Sequence, residues 1–313
     1  MSGPALKVAL IMGGTSSERE VSLKSGRAVA KALSALPHAV EVFDPATDLA
    51  ALVNRAGEFD VALVMLHGPG GEDGRLQGLL DLVGLPYQCA GVLGCALAMD
   101  KPRAKELFRA AGIPVAPDVV IRRGDPGPAR RVLDELGLPV VVKPAREGSS
   151  FGISMVRKPE ELAPAIESAF KLDRVILAER LLKGRELTAS VVGNRELTAL
   201  PLIEIIPGEA HEFFDFTAKY TPGASREICP APVDEATTRR VQELGVAAHR
   251  ALGLKGYSRT DFILTELGPF ALETNTIPGM TETSLLPQAA AAAGMDFPSF
   301  IDKLLQLALE EEK

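Results

Sequence analysis

Three oxygen-bearing side chains stand close together near the end of the chain. In RTDFILTELGPFALETNTIPGMTETSL, from Arg259 to Leu285, they are Asp261, Glu273 and Asn275. The pattern predicts two strands joined by a Gly-Pro turn, then a glycine-containing loop and a helix start. Residues two apart on a strand share a face, so Glu273 and Asn275 point one way while Phe270 and Leu272 pack the other. One Asp, one Glu and one Asn are hard oxygen donors of the kind magnesium takes alongside water and phosphate. On local grounds the same residues equally fit a hairpin with a polar solvent face.

Two lysines sit where an anion would make sense of them. Lys101 follows Asp100, an N-cap candidate, with Pro102 in the first turn and Gly112 as terminator. That puts a cation at the positive end of a helix, an awkward place unless an anion binds there. Lys143 is delivered by the apolar strand Val140–Val142 and faces the Gly/Ser loop REGSSFG, a donor-rich hairpin suited to covering a polyphosphate. Read alone, that hairpin is also an ordinary surface loop. Glu18, in the glycine-led loop GGTSSERE, lacks phosphate-binding company and would suit a cationic ligand, or simply the helix dipole. His67 opens the loop HGPGGEDG and could meet a carboxylate, or serve structure alone.

These residues must be held by alternating elements. Lys7–Met12 reads as a buried parallel strand, followed by a helix with apolar positions at Ala28, Val29, Ala32, Leu33 and Leu36 and a capping-box pair at Ser17 and Glu20. Val40–Asp44 and Val61–Leu66 are further strands. HGPGGEDG then lies at the C-terminal end of a strand, the edge where open α/β sheets bind ligands. The first domain ends near Ala98. Beyond it come strands at 117–123, 140–142 and 153–156 and helices at 128–137 and 159–170. A strand ends at Glu179, and the connector Leu181–Arg185 leads to another beginning near Glu186. Residues 207–229 form a long loop with three phenylalanines and Lys219-Tyr220. A helix at 241–252 precedes the metal-donor hairpin, and helices at 284–293 and 297–309 close the chain.

Composition narrows the function classes. The chain has 313 residues, 46% hydrophobic and 24% charged, with a formal charge of −7. That suits a soluble globular protein of two or three domains and argues against a nucleic-acid or anionic-membrane surface. Cys89, Cys95 and Cys229 form no CxxC pair, so a reducing cytosol fits better than a disulfide framework. No apolar run approaches a membrane span, and Val8–Met12 is too short for a signal peptide.

Taken in order, GGTSSEREVS, LHGPGGEDGRLQG, MDK, VVVKPAREGSS, FDFTAKY, GYSRTDF and LETNTIPGMTETSL resemble the motifs of D-alanine–D-alanine ligases, which have the ATP-grasp fold. The resemblance runs from about Val8 to Leu307. It implies an α/β and α+β fold of three domains: a parallel-sheet domain at 1–98, a central ATP-grasp subdomain at 99–182 and a C-terminal one at 183–313. It also implies a cytoplasmic cell-wall enzyme that joins two D-alanines through an acyl phosphate, spending ATP.

By the same resemblance Asp261, Glu273 and Asn275 would hold two magnesium or manganese ions, with a monovalent cation as a further candidate. Lys101 and Lys143 would bind phosphate, Glu179 and Glu186 the adenine amine and ribose, and the backbone of Arg180 and Leu182 the base. Arg180 departs from the family's usual Lys at a contact carried mainly by backbone. Glu18 would fix the first D-alanine's ammonium, with His67 nearby, and Ser149 and Tyr220 would complete a triad with Glu18. Arg259 and the Gly279 N–H would stabilise the oxyanion, while Ser284 and Leu285 clamp the second carboxylate. Lys219-Tyr220 points to the dipeptide rather than D-alanyl–D-lactate. A homodimer through the first domain is implied as well. The alternatives are a D-lactate ligase and a non-catalytic nucleotide-binding protein on the same scaffold.

Overall fold

The computed structural model describes residues 4–148, 151–208 and 225–310. Ser149, Lys219 and Tyr220 lie outside the described residues.

The first sheet has three strands in the order β2-β1-β3, all parallel: β1 (Lys7–Ile11), β2 (Ala39–Phe43) and β3 (Val61–Val64). β1 and β3 read as unbroken apolar runs because the sheet is covered on both faces. Val8 and Leu10 enter one core and Ala9 and Ile11 another. The first core takes α1 (Arg19–Leu33) together with the last two helices of the chain, α9 (Leu285–Ala292) and α10 (Phe297–Ala308). The C-terminal helices therefore return to the N-terminal sheet. The second core is closed by α2 (Leu49–Arg55) and α3 (Arg75–Leu82). A helix not anticipated from the sequence, α4 (Val92–Met99), leads directly into α5 (Lys101–Ala110).

The second sheet, order β4-β7-β5-β6, joins β4 (Asp118–Arg122), β5 (Val140–Pro144), β6 (Ser154–Val156) and β7 (Val175–Arg180) in antiparallel pairs. α6 (Pro128–Glu135) and α7 (Pro159–Ala169) close its core. The third sheet runs β11-β10-β8-β12-β13 with β9 paired to β8. Its strands are β8 (Arg185–Val192), β9 (Thr198–Ala199), β10 (Ile203–Pro207), β11 (Ser225–Ile228), β12 (Tyr257–Thr265) and β13 (Gly268–Asn275). Its core lies against α4, α5 and α8 (Glu235–Ala251).

Three local expectations need correcting. The capping box at Ser17 and Glu20 does not form: α1 begins at Arg19 with Glu18 at the cap, and the Ser16 hydroxyl accepts from the Glu18 N–H instead. α8 starts earlier than its apolar spacing suggests, because Asp234 caps it by accepting from the Thr237 N–H. Phe270 and Leu272 do not share a core face. The register shifts between Asp261 and Phe262, leaving Leu272 as the extra residue of a bulge. Below the bulge Ala271 packs with Phe262 in the core, while Leu272 lines the cleft beside Glu273.

Candidate active site

The second and third sheets face each other across a cleft of about 570 Å³. Lys143 from β5, Glu179 from β7 and Met155 from β6 line one wall; Glu186 from β8, Ile205 from β10, Asp261 from β12 and Glu273 from β13 line the other. Arg180 and Leu182 lie along the end where the two sheets meet, and Lys101 reaches in from α5. Every nucleotide contact expected from the sequence is thus brought to one cavity. The Arg180 guanidinium donates to the Leu136 carbonyl, 2.9 Å.

The donor hairpin forms a two-by-two grid. Arg259 stands opposite Asn275 and Asp261 opposite Glu273. Strand alternation then puts all four side chains on one face. Arg259 donates Nε and Nη2 to the two oxygens of Asp261, both at 2.9 Å, and the Asn275 amide donates to Asp261 at 3.2 Å. Among the described residues no three His, Cys, Asp or Glu cluster as a metal site; the third oxygen donor here is an asparagine.

Lys101 ties three elements together. Asp100 caps α5 by accepting from the Arg103 N–H, which places Lys101 at the first helical position. Its Nζ donates to the Glu147 carbonyl at 2.6 Å and lies 3.3 Å from Glu273. Lys143 pairs with one oxygen of Glu179, whose other oxygen pairs with Lys105. Burial alone would push the Glu179 carboxyl up, but the two ammonium groups overcome it and hold it at about 2.

Glu18 is 4% exposed and wedged between two loops. A Cβ added at Gly68, which has φ +70°, or at Gly148 would sit 2.6 Å from Glu18 Oε2. The buried acid therefore meets both the loop after β3 and the hairpin after β5. His67 is less available than the sequence suggests: its Nδ1 meets the Ile277 carbonyl at 2.9 Å and its Nε2 the Ser25 hydroxyl at 3.1 Å. A carbonyl only accepts, so Nδ1 carries the proton and Nε2 accepts from Ser25. Burial lowers the ring's pKa to about 4, which keeps it neutral near pH 7. Gly279 and Ser284 are neighbours; Ser284 stands at the N-cap position of α9, but its hydroxyl accepts from the Thr281 N–H at 3.0 Å rather than from the helix, and Leu285 begins the helix.

Two residues escaped the sequence reading. Glu72 accepts from the Gly68 N–H at 2.9 Å and the Ile277 N–H at 3.1 Å, joining the loop after β3 to the loop after β13. Burial, with Glu18 close by, pushes its carboxyl up to about 8. Its signal was the acid inside HGPGGEDG. Lys105, one helical turn beyond Lys101, is fully buried, and the i, i+4 spacing was its signal.

A parallel-sheet unit followed by two antiparallel sheets that close on a nucleotide-sized cleft lined by lysines and carboxylates is the ATP-grasp architecture. The D-ala D-ala ligase C-terminus model matches residues 107–306 and the D-ala D-ala ligase N-terminus model residues 44–90. The chain belongs to the D-alanine–D-alanine ligase family. It is 56% identical to the D-alanine–D-alanine ligase of Syntrophobacter fumaroxidans over 311 residues, covering 99% of this chain and 100% of that one. Identity to the D-alanine–D-alanine ligase of Desulfotalea psychrophila is 53%, over 98% of this chain and 96% of the relative. Among solved structures, the Bacillus anthracis D-alanine–D-alanine ligase complexed with ATP superposes with a TM-score of 0.86 at 31% identity, covering 97% of this chain and 98% of that one. The VanG D-Ala:D-Ser ligase of Enterococcus faecalis gives 0.85 at 32%, covering 98% and 100%.

Proposed function

We infer that this chain is an ATP-dependent D-alanine–D-alanine ligase that makes the dipeptide used in peptidoglycan precursors. The observation that carries the reading is the cleft itself. It gathers Lys101 and Lys143 against Asp261 and Glu273, and Glu18 stands buried where the Gly148 hairpin meets the first sheet. Full-length relatives of the same name support it.

In the proposed reaction Lys101 and Lys143 hold the ATP phosphates, and Glu18 pairs with the ammonium of the first D-alanine. A carboxylate oxygen of that D-alanine attacks the γ-phosphorus, and ADP leaves. The second D-alanine, its ammonium having lost a proton, attacks the acyl carbon through its nitrogen, and phosphate departs as the amide forms. Arg259 and the Gly279 N–H are assigned to the oxyanion of the tetrahedral state, a role typically worth ~3 kcal/mol per donor. Ser284 and Leu285 at the start of α9 are assigned to the second carboxylate. Ser149, Lys219 and Tyr220 keep the parts the family pattern gives them. Glu72 accepts from the Ile277 N–H and His67 donates to the Ile277 carbonyl, which fixes the loop carrying Gly279.

Asp261, Glu273 and Asn275 fit magnesium or manganese by donor chemistry: hard oxygens on facing strand positions, beside a phosphate-binding lysine. Bound there, the metal would neutralise charge on the transferring phosphoryl group. The three-domain division at 98 and 182 is part of the proposal, as is a cytoplasmic homodimer. Supporting the dimer, Val42, Leu49, Leu82, Val92 and Leu93 leave apolar side chains exposed on the first unit.

The test is phosphate release from ATP and magnesium as amino acids are added singly. Release on D-alanine with dipeptide formed is expected. Release on D-alanine only when D-serine or D-lactate accompanies it would move the second-substrate assignment. No release with any of them would favour a nucleotide-binding protein.

A further inference from the structure

Lys105 has no part in the reaction as described, yet it is the most buried lysine around the cleft. Its side chain is 1% exposed, and its Nζ reaches the Ala116 carbonyl at 3.0 Å, Asp118 Oδ1 at 3.0 Å and Glu179 Oε1. An ammonium has three N–H groups, and all three are committed. Asp118 Oδ1 is shared with Arg109. Glu179 therefore sits between two cations of different standing. Lys143 lines the cleft; Lys105, fully buried on α5, does not. An arriving phosphate draws Lys143 towards it, whereas Lys105 cannot follow without unpairing two buried carboxylates.

We propose that Lys105 is a positioning residue for base selection, acting through Glu179. It keeps that carboxylate ionised and fixed once Lys143 turns to the nucleotide's phosphates. Glu179 then remains a pure hydrogen-bond acceptor at that end of the cleft. Such a site takes a purine with an exocyclic amine at C6 and opposes one with a carbonyl there, so it selects adenine over hypoxanthine nucleotides. The inference rests on the ATP reading above and names what enforces it.

Glu179 is faced by charged groups from several elements. From α5 come Lys105 and Arg109, from β4 Asp118 opposite it in register, and from β5 Lys143. Across the cleft stand Glu186 and Glu204, the latter held by Arg185. With Lys105 removed and Lys143 on phosphate, the cation left nearby, Arg109, is already spent on Asp118. Burial, the largest influence on Glu179, would then drive a proton onto it. A protonated carboxyl can donate as well as accept, and the carbonyl of hypoxanthine becomes acceptable.

The experiment is calorimetric titration of the magnesium-loaded full chain with a non-hydrolysable ATP analogue and its inosine counterpart, without D-alanine. It needs no turnover, so a failed ligase assay and a failed selection argument stay distinguishable. Lys105→Met should weaken the ATP analogue by roughly tenfold to a hundredfold, the scale of a lost hydrogen bond to a charged group. Binding of the inosine analogue should change little, so the preference collapses. The variant should also take up more protons per nucleotide bound than the parent, read from buffers of different ionisation enthalpy. Because Lys105→Met unpairs buried acids, the same titrations are made in the Glu179→Gln background, where both partners are neutral. There the Lys105→Met change should leave the adenine preference where Glu179→Gln alone puts it. Equal losses for both nucleotides, an unchanged preference, or a further fall in preference in the Glu179→Gln background would each overturn the proposal.

Discussion

Gly148→Ala is the sharpest single perturbation the site offers. The added Cβ would lie 2.6 Å from Glu18 Oε2, 3.4 Å from its Cδ and 3.7 Å from Oε1. A relaxed carbon–oxygen contact needs roughly 3.3–3.6 Å, so the carboxylate must retreat by something under an ångström. Glu18 is buried, and Gly68 crowds the same carboxylate oxygen, so the room to retreat is small. Retreat therefore misaligns the group assigned to the first ammonium. Displacements of about 1 Å at a reacting site cost on the order of a hundredfold in rate. Initial-rate measurements on D-alanine should show kcat/KM for the first site down by about that factor, with ATP-analogue affinity within about threefold of the parent. Gly148 carries no positive φ, so thermal stability should be nearly unchanged. Gly68→Ala meets the same oxygen but at φ +70°, and should lose about 1–2 kcal/mol of stability besides. If Gly148→Ala weakens ATP binding as much as D-alanine use, or alters neither, the placement of Glu18 against the first substrate is wrong.

Other consequences follow from single residues. Glu72 has its folded pKa raised to about 8, so the folded chain binds a proton the unfolded chain releases above about 4.3. That contribution lowers stability as pH rises from about 5 to 8, and Glu72→Gln should flatten the corresponding slope in a melting series. Glu179 runs the opposite way: its pKa of about 2 supplies stability at neutral pH that is lost as pH falls below about 4, so Glu179→Gln should flatten the acid limb of the same series. Phe262→Ala, at a fully buried site opposite Ala271, should cost about 3–5 kcal/mol in denaturant unfolding, with no preference between substrates. Chelation of divalent metal should abolish phosphate release and return on adding magnesium, while Asp261→Asn should resist that rescue.

Much of this site could be read from the chain because its residues sit on regular elements. The i, i+2 alternation put Glu273 and Asn275 on one face, and the cap at Asp100 fixed Lys101 at a helix start. What escaped was set by packing rather than by pattern. The bulge at Leu272 depends on how β12 and β13 register, and period-two reasoning assigned Leu272 to the wrong face. Glu72 and His67 acquire their partners from the Ile277 peptide, some two hundred residues away in sequence. Lys105 takes its partners, Asp118 and Glu179, from strands outside its own helix. The helix at Val92–Met99 is apolar on all sides, so it offers no helical stripe to read.

The central claim is that the cleft transfers the γ-phosphoryl group of ATP to the carboxylate of a D-alanine held by Glu18. The most direct measurement uses D-alanine carrying heavy oxygen in its carboxylate. The label should appear in the released inorganic phosphate, with ADP and dipeptide formed in equal amounts. Label found in AMP, or phosphate free of label while dipeptide accumulates, would contradict the account.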